Sequence, residues 1–158
     1  MRAARFCAVA ALSLLLAGGV QAEPLAIGAP LPPITVENQN GQAVSITPAL
    51  KRLIFAADKA GGDLATSVLS PEPAGVLDRL HAVYLADISG MPAIVTRMFA
   101  LPKMRELPFA VGLVRDAAMT ADLPRRPGEV TVIDLDQGRA VQIRNAADAA
   151  ALRRLLGL

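Results

Sequence analysis

Apolar positions in this chain follow two rhythms, short unbroken runs and a spaced helical stripe. Leu53-Ile54-Phe55-Ala56-Ala57 is a run without helical spacing, broken by Lys59-Ala60-Gly61-Gly62, with Asp63 standing where a helix N-cap belongs. This predicts a buried strand over 52–57 that turns through the glycine pair into a helix from Asp63 to about Leu80. Pro71 and Pro73 divide that helix, and its second piece, from Ala74 to Leu80, ends near His81. A strand over 82–86 follows, then a loop Asp87-Ile88-Ser89-Gly90 at the same sheet edge. Met91, Ile94, Val95, Met98 and Phe99 keep the i, i+3, i+4, i+7, i+8 spacing of an amphipathic helix. Ser89 and Pro92 would start this helix and Pro102 would stop it, with the stripe turned to the core. Phe109–Val114 is a third buried run.

Two hairpins frame this middle part. Ile34-Thr35-Val36 and Val44-Ser45-Ile46 flank Asn38-Gln39-Asn40-Gly41, whose Asn-Gly is a turn signal. Val130–Asp134 and Arg139–Ile143 flank Asp136-Gln137-Gly138. A closing helix over 146–156 carries Leu152, Leu155 and Leu156, with Asn145 as its expected N-cap. The order hairpin, β, α, β, α, β, hairpin, α predicts a three-layer α/β/α domain on a mixed sheet. Residues 34–158 form that domain, and the proline-rich stretch 23–33 is an extended lead-in.

The first 22 residues stand apart. Arg2 and Arg5 precede an apolar run from Phe6 to Ala17, and small residues lead to Val20-Gln21-Ala22. This is the pattern of a cleavable signal peptide, too short to stay as a spanning helix, and cleavage is expected after Ala22. Export places the protein in the periplasm, without stable membrane insertion after cleavage. Cys7 lies before the apolar run and not at the cleavage point, so lipid attachment is not expected. Of the 16 Lys and Arg residues, Arg2 and Arg5 fall in this leader, and what remains balances the 14 acidic residues. The basic pI near 9.1 is therefore no argument for nucleic acid or membrane surfaces. The single cysteine leaves as well, so the mature domain has neither thiol nor disulfide.

Four segments, IGAPLPPITVENQNGQAVSI, RLIFAADKAGGD, FAVGLVRD and VTVIDLDQGRAVQI, resemble consecutive parts of the thioredoxin-like superfamily in its peroxiredoxin or TlpA-like form. The resemblance spans nearly all of residues 23–158. It implies a mixed five-stranded central sheet in the order 109–114, 82–86, 52–57, 130–135, 139–144, with the 130s strand antiparallel and an N-terminal β-hairpin. More narrowly, YLADISGMPAIVTRMFALPKMR resembles a stretch of exported, cysteine-poor proteobacterial members often called FAD/FMN-containing dehydrogenases.

Dithiol exchange needs a thiolate at the helix N-terminus and a second cysteine one turn on. At the matching place this chain has Asp58-Lys59-Ala60-Gly61-Gly62-Asp63. The superfamily's cis-proline falls on Gly128, so Arg126-Pro127, one residue early, is the candidate cis bond. Gly61 and Gly62 could present N–H groups to an anion or a peptide carbonyl, against the plainer role of a capped tight turn. Asp58 and Asp63 could pair for acid–base work or metal binding, but Lys59 is adjacent and no histidine is near. His81, the one histidine, gives poor support for zinc, haem or a triad. Met91, Met98 and Met104 could suggest a soft-metal or promiscuous surface, but Met91 and Met98 fall on the apolar stripe and read as core, and Arg97, Lys103 and Arg105 read as a solvated face. A flavin site lacks its glycine fingerprint, since Gly61-Gly62 and Gly90 stand alone, so no cofactor is assigned.

The residues point to a redox-inactive domain that binds a periplasmic peptide or protein at the former active-site edge, with no catalytic residue assigned. That edge comprises Asp58, Lys59, Gly61, Gly62, Asp63, Asp87, Ser89, Gly90, Arg125, Arg126 and Pro127. By the resemblance, the loop before the antiparallel strand packs on the helix start, which would bring Arg125 and Arg126 to Asp58 and Asp63. The alternatives are a flavin-linked or oxidoreductase-associated protein, as the dehydrogenase name implies, and a small-anion-binding protein at the glycine pair.

Overall fold

The computed structural model describes residues 23–158; the signal peptide expected over 1–22 lies outside the described residues. Its seven strands are β1 (Thr35–Asn38), β2 (Ala43–Ser45), β3 (Arg52–Ala56), β4 (Ala82–Asp87), β5 (Gly112–Val114), β6 (Val130–Asp136) and β7 (Arg139–Ala146). They form one sheet in the order β2-β1-β5-β4-β3-β6-β7. The middle is parallel where β3 meets β4 and β4 meets β5, and antiparallel where β3 meets β6. The order expected for the five strands, here β5-β4-β3-β6-β7, is therefore present. The hairpin is not a separate appendage: β1 pairs antiparallel with β5 and extends the sheet to seven strands.

β3 lies inside the sheet between β4 and β6, and its Leu53, Ile54 and Phe55 have no exposed surface, as a strand with partners on both edges and layers on both faces requires. Each such side chain contributes roughly 1.5–3 kcal/mol of burial. Alternation divides them: Ile54 and Ala56 enter one core with Val68, Leu69, Tyr84, Val132 and Leu152, and Leu53 and Phe55 enter the other with Leu85, Val114, Ile133 and Leu135. The first core is covered by α1 (Lys59–Leu69), α2 (Val76–Arg79) and α5 (Ala149–Leu156). On the second face the lead-in supplies Leu25, with Ala29 and Leu31 packed alongside, and Leu123 follows a 3-10 turn over Ala117–Thr120. The outer layer there is extended chain rather than α-helix. The lead-in is also hydrogen-bonded: the N–H of Gly28 donates to the Ala140 carbonyl (2.6 Å), and those of Leu31 and Ala140 to the carbonyls of Gly138 (2.8 Å) and Ala29 (3.0 Å).

Three local expectations change. α1 begins at Lys59, with Asp58 and not Asp63 as its N-cap, because the Asp58 carboxylate accepts the N–H of Gly61 (2.8 Å). The glycine pair thus lies inside the first turn. α5 is capped by Asp148, whose carboxylate accepts the N–H of Ala151 (2.7 Å). Asn145 belongs to β7 and donates to the Thr131 hydroxyl (2.9 Å). The third buried run pairs only over Gly112–Val114, because the Gln39 side chain takes the backbone groups before it. Its amide donates to the Phe109 carbonyl (2.8 Å) and accepts from the Val111 N–H (2.8 Å).

The largest difference lies after β4. The helix expected to stop at Pro102 runs on: α3 (Ala93–Val95) passes through a π-helical turn over Thr96–Ala100 into α4 (Leu101–Arg105). Pro102 has no N–H for a normal helical bond, and the wide turn, closed by the Leu101 N–H on the Thr96 carbonyl, accommodates it. The extra residue re-aims the segment. Thr96 is buried and Leu101 and Met104 pack on the core, while Ile94 (67% exposed), Met98 (60%) and Phe99 (67%) face solvent. The stripe expected to line the core is thus, beyond Met91, an outer surface.

Candidate functional site

The carboxyl ends of β3 and β4, the start of α1 and the loop 124–129 meet at one edge of the sheet, and two carboxylates organise it. Asp58 uses both oxygens: one accepts the N–H of Gly61, and the other the N–H of Gly128 (2.7 Å). These two bonds outweigh the cost of partial burial and hold its carboxyl below the usual carboxylate range. Arg126–Glu129 is a turn closed by the Glu129 N–H on the Arg126 carbonyl (3.1 Å), with Gly128 at φ 75°. Proline followed by a left-handed glycine is the pattern of a type II turn, and it aims the Gly128 N–H at the helix.

Gly61 is needed for this approach. A Cβ there would stand 2.7 Å from the Glu129 carbonyl oxygen, whereas one on Gly62 would meet nothing closer than the Tyr84 hydroxyl at 3.8 Å. Among the described residues no peptide bond is cis, so Arg126-Pro127 is trans. A proline at 128 would also have no N–H to give Asp58.

The second carboxylate is Asp87, whose side chain is only 3% exposed. One oxygen accepts the Ser89 hydroxyl (2.6 Å) and N–H (2.9 Å), and the other the Arg125 guanidinium (2.6 Å). Burial pushes this carboxyl up, but the two Ser89 bonds and then Arg125 more than offset it and hold it low. Arg125 also donates to the Thr120 hydroxyl (2.7 Å) and lies 5.4 Å from the Phe55 ring centroid, within cation–π range. Arg125 therefore meets Asp87 rather than Asp58 or Asp63, and Thr120 and Phe55 are participants that sequence reasoning did not name.

The other named residues are apart. Lys59 and Asp63 pair with each other (2.5 Å) on the exposed side of α1, and Asp63 does not join Asp58. Arg126 and Pro127 are exposed, and Gly90 has open space around its Cα. The glycine pair does not form a free anion cradle: the Gly61 N–H is held by the Asp58 side chain and the Gly62 N–H by the Asp58 carbonyl (2.9 Å). Among the described residues no three His, Cys, Asp or Glu side chains converge as a metal site would require, and no helix is long and apolar enough to cross a membrane.

No family model and no curated protein matches the chain. Solved structures do. A proposed protein disulfide isomerase from Bacteroides thetaiotaomicron superposes with a TM-score of 0.57 at 17% identity, over 84% of this chain and 87% of its own. Peroxidoxin BcpB from Mycobacterium tuberculosis gives 0.56 at 13% identity, over 84% and 95%. The thioredoxin domain of a thiol-disulfide oxidoreductase from Bacteroides vulgatus gives 0.52 at 14% identity, over 84% and 99%. At these identities the likeness speaks of architecture, and it agrees with the mixed sheet, the strand order and the helix that starts behind β3: the chain has the thioredoxin-like fold.

Proposed function

We propose that this is an exported thioredoxin-like domain without redox activity, which binds a peptide or protein partner through the edge formed by Asp58–Asp63, Asp87–Gly90 and Arg125–Pro127. The observation that carries the reading is the Asp58 carboxylate. Where the structurally similar oxidoreductases are named for thiol chemistry, this chain puts an acceptor-only group at the start of α1 and spends both of its oxygens on backbone N–H groups. Residues 8–158 contain no cysteine, so neither a nucleophilic nor a resolving thiol is available after cleavage. What remains is a rigid edge with Lys59, Asp63, Arg126 and Pro127 exposed. Such a surface suits recognition. The anion-binding alternative loses its donors to Asp58, and the flavin-linked one has no supporting geometry.

The test uses protein recovered from the periplasm. Mass spectrometry should give a chain beginning at Glu23, and this material should neither reduce insulin disulfides nor consume peroxide. A partner retained by the wild type should be lost from a Lys59→Glu, Arg126→Glu variant. Thiol-dependent turnover by protein starting at Glu23, or retention unaffected by the variant, overturns the reading.

A further inference from the structure

We propose that the outer face of the helical segment 93–105, with the cleft beside it, binds a partner segment that carries acidic residues next to apolar anchors; this rests on the partner-binding reading above and names that partner's chemistry. Three observations converge. Ile94, Val95, Met98 and Phe99 form one solvent-facing apolar stripe. Exposed Met and Phe beside Arg are the side chains that interface centres favour.

The segment is also one-signed. From Met91 to Arg105 it carries Arg97, Lys103 and Arg105 and no acidic residue, whereas the rest of the chain has 13 basic residues (16 less these three) against all 14 acidic ones. Finally, a cleft of about 430 Å³ opens between this segment and the turn after β4. Arg97 and Arg115 line it, with the Ser89 side and Leu101, and no Asp or Glu does. Among the described residues neither arginine is in an ion pair.

Two guanidiniums without carboxylates line a cleft on the same helical segment that carries the apolar stripe, and such a segment is complemented by carboxylates next to apolar side chains. A peptide chain can lay its anchors on Ile94, Met98 and Phe99 and send carboxylates into the cleft. A planar anionic bilayer would meet the stripe and leave the concave cleft unfilled.

The experiment selects a random dodecapeptide library on the immobilised protein and titrates a synthetic peptide of the winning sequence. Enrichment of Asp and Glu beside Leu, Phe or Trp is expected. Affinity should fall roughly tenfold or more in Phe99→Ala and in Arg97→Gln, Arg115→Gln, as truncation of interface anchors does, and fall again at high salt. All these side chains are exposed or line the cleft, and circular dichroism of each variant verifies folding. Enrichment without acidic residues, affinity unchanged in these variants, Phe99-dependent binding of phosphatidylglycerol vesicles with no peptide selected, or dimerisation abolished by Phe99→Ala would each overturn the proposal. Peptide binding lost in Lys59→Glu, Arg126→Glu but kept in the helix variants overturns this inference alone and leaves the edge reading standing. Partner retention that is indifferent to Lys59 and Arg126, with peptide binding that needs Phe99, overturns the edge reading instead.

Discussion

Replacing Asp58 tests the link between the start of α1 and the loop before β6. Its carboxylate satisfies two backbone donors at once, one in its own helix and one 70 residues further along the chain. Asp58→Ala removes an N-cap, worth about 0.5–2 kcal/mol. It also orphans the Gly128 N–H, whose bond to a charged acceptor is worth about 1.5–3 kcal/mol when buried. Asp58 is half-buried, so solvent screening discounts the second figure, and about 1–3 kcal/mol in total is expected. Asp58→Asn should cost about half as much, because an amide has one oxygen and can cap the helix or receive Gly128 but not both.

The pH dependence has a definite sign. The folded carboxyl is held below its ordinary value, so its contribution is fully present above the unfolded pKa near 3.8 and is lost as pH falls through the lower folded value. Urea unfolding followed by far-ultraviolet circular dichroism at neutral pH and at about pH 3 measures this. The wild type should exceed Asp58→Ala at neutral pH and approach it in acid. Equal stability of the two at neutral pH, or a gap that widens in acid, would refute the account of Asp58.

Two further perturbations follow from the same edge. Gly61→Ala should destabilise and weaken the loop contact, since its methyl would press on the Glu129 carbonyl oxygen at 2.7 Å, whereas Gly62→Ala should be neutral or stabilise by up to about 1 kcal/mol; equal melting shifts for the two would contradict this. Arg125→Gln leaves Asp87 buried without its cation; the loss should be about 1–3 kcal/mol, less than for a fully buried pair because Arg125 is a third exposed. Since the Asp87 carboxyl is held low in the native protein, that loss should shrink as pH falls through its folded value, and a loss that grows in acid would contradict the assignment.

The apolar runs were legible in the sequence because a central strand buried on both faces shows itself as an unbroken run, as Leu53–Phe55 does. The order of the strands was not in the residues and came from resemblance. The helix start was misplaced because Gly61-Gly62 reads locally as a breaker, while its cause is the loop at 128–129, far along the chain. The stripe from Met91 to Phe99 has a true helical period, but a period says that a face exists and not what it meets; one π-helical turn before Pro102 sent most of it outward. The pairing of Arg125 with Asp87 spans 38 residues, a distance over which spacing carries no information.

The lead-in strapped along the start of β7 bears on what that edge of the sheet offers to other chains. β7 is an outer strand, and such strands offer bare backbone groups to any other chain that can zip onto them. Gly28–Leu31 occupy those groups at Gly138 and Ala140, and just beyond them Val141 is the extra residue of a bulge opposite Asp134 and Leu135. A plug and a kink thus guard the same end of the strand, while the opposite edge, β2, is only three residues long. Proteolytic trimming past Leu31 would withdraw the plug and leave a chain prone to self-stacking and precipitation, so Gly28–Leu31 act as a guard on that edge of the sheet.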